Sequence, residues 1–139
     1  MWTKSHTVIS KEVTKDQLWK LFSDVNHWGN WDEGIEFAKM EGSFVAGNHF
    51  MLRPNGGPTV KIKILIAEPN KQFKDLTTFP LAKMYGDHIF EETADGLKMT
   101  TTMTVKGILG FLWIKLVARK IVDSLPADMQ RQIEIARAL

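Results

Sequence analysis

The last thirty residues limit most strongly what this chain can fold into. Residues 108–138 carry Phe111, Ile114, Val117, Ile121 and Leu125 at three-to-four spacing, and Arg131, Gln132 and Arg137 supply a polar side further on. The segment therefore reads as one long amphipathic helix. At 1.5 Å per residue, about 30 residues make a rod roughly 45 Å long, enough to cross an entire small sheet. Pro126 is expected to kink or break it, because proline lacks a backbone donor and clashes with the preceding turn. A chain of 139 residues has room for one such helix and one sheet, so a single domain over 1–139 is expected.

The preceding segments supply the sheet. Residues 2–11 mix β-branched and polar types and read as a first strand. In "TKDQLWKLFSD", Thr14 is placed to cap a helix carrying Leu18, Leu21 and Phe22. Ser23, Asp24 and Asn26 suit the end of that helix and the start of a second, short one containing "NHWGNWD" (26–32). From about residue 34 the period changes to two. "IEFAKMEG", "NHFMLRP", "TVKIKILIAEP", "QFKDLTTFPL", "KMYGDHIFEE" and "LKMTTTMTVKG" read as six strands, with turns at Gly42 to Gly47, "RPNGGP", Asn70–Lys71 and "TADG". Sequential hairpins favour an antiparallel sheet whose apolar face the helices must cover. The expected class is α+β, in the order β-α-α-β6-α. A curved sheet of about seven strands wraps around the C-terminal helix, with space for a cavity between them.

Several functions are excluded early. There is no cysteine, which removes disulfides, thiol nucleophiles and Cys-ligated zinc. The net charge is +2, with Lys and Arg spread along the chain, so electrostatics do not point to nucleic acid as a partner. The start "MWTKSHTVIS" lacks a signal-peptide core, and the longest apolar run (107–118) is too short to span a bilayer. No integral membrane segment and a cytoplasmic location are expected. His6, His27 and His49 have no metal-ligand spacing with each other or with His88, so neither a metal nor a cofactor is expected. No nucleophile elbow, Ser-His-Asp pattern or phosphate loop is present.

The order of elements and four stretches resemble the START-like superfamily with the Bet v 1 helix-grip fold (SRPBCC), in particular its bacterial polyketide cyclase/dehydrase branch. The stretches are "KDQLWKLFSDVNHWGNWDEGIE" (15–36), "RPNGGPTVKIKILIAEPNKQF" (53–73), "DHIFEETADGLKMTTTMTVKG" (87–107) and the closing helix. The resemblance covers almost the whole chain. It implies a mostly apolar pocket between the sheet and the long helix, although such a fold alone does not say what enters.

Within that frame the expected cavity lining is Trp28, Trp31, Ile62, Ile64, His88, Phe90, Met99, Met103, Phe111, Ile114, Val117 and Ile121. Trp28 and Trp31, three apart, share a helix face. They either wall the cavity, with Asn30 or Asp32 orienting a ligand hydroxyl, or pack as core while Asp32 caps a turn. Alternation in "MYGDHIFEE" places Met84, Gly86, His88 and Phe90 on one face and Tyr85, Asp87 and Ile89 on the other. An inward His88 would serve as general acid or base, or would simply be satisfied by its neighbours. Arg53, before the proline turn, either clamps an anionic ligand group at the cavity mouth or stays solvated. The run 108–118 is apolar nearly all round. Its outer face at Leu112, Trp113 and Leu116 needs cover from a loop, a membrane surface beside Lys115, Arg119 and Lys120, or a second copy in a homodimer.

Three functions remain from this reading. The first is binding or transport of a small hydrophobic molecule (a lipid, polyketide or aromatic compound) in the internal cavity. The second is a polyketide cyclase/dehydrase-like enzyme, in which His88, Arg53 or Tyr85 assists enolisation and dehydration. The third is an interaction module using the sheet edge or the apolar helix face.

Overall fold

The computed structural model describes residues 1–139. Strand β1 (Trp2–Ser10) leads into helix α1 (Lys15–Ser23) and a 3₁₀ helix (Val25–Asn30). Six strands follow: β2 (Ile35–Lys39), β3 (His49–Pro54), β4 (Val60–Glu68), β5 (Gln72–Phe79), β6 (Ala82–Thr93) and β7 (Gly96–Lys106). They form one antiparallel sheet in the order β1-β7-β6-β5-β4-β3-β2. The C-terminal helix runs from Gly110 to Ala136 and the sheet is curved, as the resemblance implies.

Local chemistry accounts for these elements. Thr14 caps α1 as expected: its Oγ1 accepts from the Gln17 amide at 3.2 Å, and the Gln17 Oε1 accepts from the Thr14 amide at 3.0 Å. Two of the four orphan donors at the helix start are thereby satisfied. The side chains of Leu18, Leu21 and Phe22 are buried beneath α1.

The C-terminal helix departs from the sequence reading in two ways. It continues through Pro126, which is exposed. Its irregularity lies earlier, where Gly110–Trp113 and Arg119–Ala136 are α-helical but Ile114–Ala118 form a π-helical turn. The wider turn changes the helical phase. Phe111, expected inside, is consequently 71% exposed, whereas Ala118, Leu125, Met129 and Ile133 are the residues that meet the sheet.

Two apolar clusters fill the space between sheet and helices. The larger joins Leu18, Phe22, Trp28, Trp31, Phe50, Ile64, Phe73, Phe90 and Met99 to the second half of the C-terminal helix. The smaller holds Met84, Met103, Val105 and Ala118, against which Phe79, Ile114, Val117, Ile121 and Val122 pack only partly buried. One half of the interior is sealed and the other is loosely closed.

Candidate functional site: a polar belt between two apolar clusters

The inner sheet face is divided by a row of polar residues. On β5, Phe73 belongs to the large cluster and Phe79 to the small one, with Asp75 and Thr77 in between. On β6, Gly86 and His88 lie between Met84 and Phe90, and on β7, Thr101 lies between Met99 and Met103. Register brings these positions together, because Asp75 faces Gly86, and His88 faces both Phe73 and Thr101. Asp75 and His88 are thus diagonal neighbours on adjacent strands, a separation that long side chains bridge.

His88 points inward. Its ring stacks on Phe73, with centroids 5.1 Å apart and planes 6° from parallel, and Phe22 lies 5.0 Å away. Its Nδ1 is 3.2 Å from the buried Thr101 hydroxyl. Burial among aromatic rings pushes its pKa down to about 4, so it is a neutral imidazole at neutral pH. Burial acts on Asp75 in the opposite direction. Desolvation raises its pKa to about 7, the Gly86 backbone offsets part of this, and Asp87 adds to it. Both residues are deep enough for desolvation to dominate, yet both keep some accessible surface.

The tryptophan motif packs into the core. Trp28 and Trp31 are each 5% exposed and their rings lie 5.5 Å apart. In a 3₁₀ helix residues three apart eclipse, which puts both rings on the Phe22 side. The Trp28 indole N–H donates to the Phe22 carbonyl at 2.9 Å. The Trp31 Nε1 and the buried Gln132 Oε1 have no partner within the chain, and such orphans cost about 1–3 kcal/mol each when left unsatisfied. Asp32 caps a turn by accepting from the Gly34 amide at 2.9 Å, and burial raises its pKa to about 6. Asn30 is exposed.

The remaining expected lining residues divide between the two clusters. Ile62, Ile64, Phe90 and Met99 are buried in the large one. Met103 is buried in the small one, where Ile114, Val117 and Ile121 flank it only partly buried. Arg53 lies elsewhere: alternation along β3 turns it away from buried Phe50, and it pairs with Glu36 at 3.1 Å, both about half exposed. Tyr85 is on the outer sheet face, where Lys74 and Lys106 sit 5.5 and 5.3 Å from its ring centroid. Concavities of about 340 and 280 Å³ flank Tyr85, and neither is lined by a belt residue. Arg53 and Tyr85 are therefore not gathered around His88.

Asp75 was not singled out from sequence, although a signal existed: in "QFKDLTTF" it alternates in phase with Phe73, Thr77 and Phe79. No group of three or more His, Asp or Glu side chains is arranged to hold a metal ion, and no helix is long and apolar enough to cross a membrane. A neutral imidazole and a carboxyl titrating near neutrality, set in apolar walls, can orient a hydroxyl or carbonyl group or pass a proton to it.

A family model described as polyketide cyclase/dehydrase and lipid transport matches residues 1–136. No curated protein matches the chain. Among solved structures, a hypothetical protein from Helicobacter pylori is similar with a TM-score of 0.77 at 13% identity, covering 97% of this chain and 88% of that one. Ara h 8.0201 gives 0.74 at 14% identity and 99% coverage of both chains. StfQ, a di-domain ARO/CYC from the steffimycin biosynthetic pathway, gives 0.70 at 18% identity, with 98% of this chain spanning 50% of that protein. At these identities the likeness concerns the fold.

Proposed function

Because the chain belongs to the polyketide cyclase/dehydrase and lipid transport family, we propose that it binds and carries a small hydrophobic molecule between the sheet and the C-terminal helix. One observation carries this reading: Asp75 and His88 form a deep polar belt on the inner sheet face, set between the large apolar cluster and the loosely closed one. The apolar body of the ligand lies against Met84, Met103, Ile114, Val117 and Ile121. Its one polar group, a hydroxyl or carbonyl, meets the belt. A carboxylate is disfavoured there, because Asp75 repels it once ionised and neutral His88 offers it no charge.

The test uses N-phenyl-1-naphthylamine, an uncharged apolar dye that fluoresces on burial, together with native mass spectrometry. Saturable binding at one site, lost in Val117→Trp, supports the carrier. A clean apo mass with no saturable dye uptake overturns it.

A cyclase/dehydrase-like activity is the second reading, favoured by one specific pairing. Asp75 titrates near 7 beside a neutral His88, which suits proton transfer during enolisation and dehydration of a poly-β-ketone. Arg53 and Tyr85 take no part in it. Turnover unchanged in His88→Ala would remove His88 as the acid or base.

A further inference from the structure

The end of the molecule beside the loosely closed half exposes large apolar side chains that no fold requirement explains. Leu81, Ile108, Phe111 and Leu116 are 64%, 81%, 71% and 57% exposed. They come from two loops and the helix start, and these are tied together. The Leu109 amide donates to the Leu81 carbonyl at 3.1 Å, the Trp113 indole N–H donates to the Pro80 carbonyl at 3.0 Å, and Trp113 stacks on Phe79 at 4.4 Å. Trp113 is thereby held by its own chain, and Phe111 takes the outward place expected of it.

Leu81 is the most telling of the four. It occupies the second position of the two-residue Pro80–Leu81 loop with φ 55°, a left-handed conformation that Gly or Asn adopts readily and a branched apolar residue does not. Neither local conformation nor burial favours leucine there. Strain of this kind points to a role outside the fold.

The charges around these tips are mostly positive, with Asp123 the acidic residue one helical turn beyond Arg119 and Lys120. Lys83, Lys106, Lys115, Arg119 and Lys120 are exposed, and none takes part in an ion pair within the chain. No acidic residue occurs from Leu76 to Gly86 or from Leu97 to Val122. We propose that this end docks on an anionic lipid bilayer, with Leu81, Ile108, Phe111 and Leu116 entering the interface and the five cations meeting the headgroups. A second copy fits less well, because a two-fold contact would place these cations against their own counterparts. Docking would also set the loosely closed half of the interior against the membrane, although the docking itself does not depend on the carrier reading.

Co-sedimentation with phosphatidylglycerol/phosphatidylcholine vesicles, with pure phosphatidylcholine vesicles as comparison, tests the proposal. The protein is expected to bind the anionic vesicles selectively and to release them in high salt. Leu81→Asn removes an apolar tip while relieving the backbone, so it should keep its melting temperature and its uptake of the apolar dye. Its vesicle partition should nevertheless drop about tenfold, as befits the loss of one buried apolar side chain. Phe111→Ser should behave alike. Equal sedimentation with both vesicle types, no sedimentation, or unaltered binding by both variants would overturn the proposal. A dimer in light scattering that Phe111→Ser disperses, without vesicle binding, would assign the surface to a second copy instead. Loss of dye uptake with vesicle binding intact would count against the carrier reading alone.

Discussion

Asp75 and Gly86 face each other across β5 and β6, and the Asp75 Oδ1 lies 2.9 Å from where a Cβ on residue 86 would stand. The carboxyl occupies the space that a missing side chain provides. Gly86→Ala is therefore expected to push the carboxyl aside and to cost about 1–3 kcal/mol, the range for overpacking a closed site. In Asp75→Ala/Gly86→Ala most of that cost should vanish. Urea denaturation of the two single variants and the double variant measures the coupling; simple additivity would mean that the two residues do not share this space.

Asp75 also predicts a pH dependence. Its folded pKa is raised to about 7 from 3.8, so between those values the unfolded chain releases a proton that the folded chain retains. Wild-type stability then falls with rising pH, by about 1.4 kcal/mol per unit from this group. Asp75→Asn removes that loss. The variant should gain on wild type progressively from pH 4 to 7, reaching about 4 kcal/mol. Equilibrium unfolding at three pH values checks it, and a gap that stays constant with pH would contradict a buried, protonated Asp75.

His88 acts with the opposite sign. Its folded pKa is lowered to about 4 from 6.5, so the unfolded chain takes up a proton first as pH falls through that window, and stability declines on acidification. His88→Phe preserves the ring packing against Phe73 and Phe22 and abolishes the titration. Relative to wild type it should gain about 3 kcal/mol between pH 6.5 and 4, after a constant loss of about 1 kcal/mol for the Thr101 contact. In the wild type the Asp75 and His88 slopes oppose each other between pH 4 and 6.5. Chemical denaturation of the single variants would separate them.

Phe22 is the hub of the sealed half. Its ring lies between 5.0 and 6.5 Å from Trp28, Trp31, Phe73, His88 and Phe90. Phe22→Ala is expected to cost about 3–5 kcal/mol, as for a large aromatic deleted from a core. Near-ultraviolet circular dichroism should lose tryptophan signal along with the stability. A loss below about 1 kcal/mol would mean that the cluster repacks freely.

Much of the fold was legible along the chain because the periods that reveal it are local. The Thr14 cap, the alternation of "TVKIKILIAEP" and the hairpin around Asp95–Gly96 depend on residues a few positions apart. The tryptophan pair also proved local, since a short helix alone aligns Trp28 with Trp31. The same reasoning carried His88 to the inner face, because it shares a strand phase with Met84 and Phe90.

What local patterns could not supply was neighbourhood. Asp75, Gly86, His88 and Thr101 belong to three strands, and only their register makes them one belt. Phe111 turned outward because the π turn at Ile114–Ala118 alters the helical phase, which a uniform period of 3.6 cannot foresee. Arg53 and Tyr85 are chemically apt for an active site, yet strand alternation turns Arg53 away from buried Phe50 and Tyr85 to the face opposite His88. Periodicity and turn chemistry in the sequence by themselves determined the elements and their order. The tertiary structure alone decided which side chains share a space, because desolvation and contact arise only once distant strands and the helix close over them.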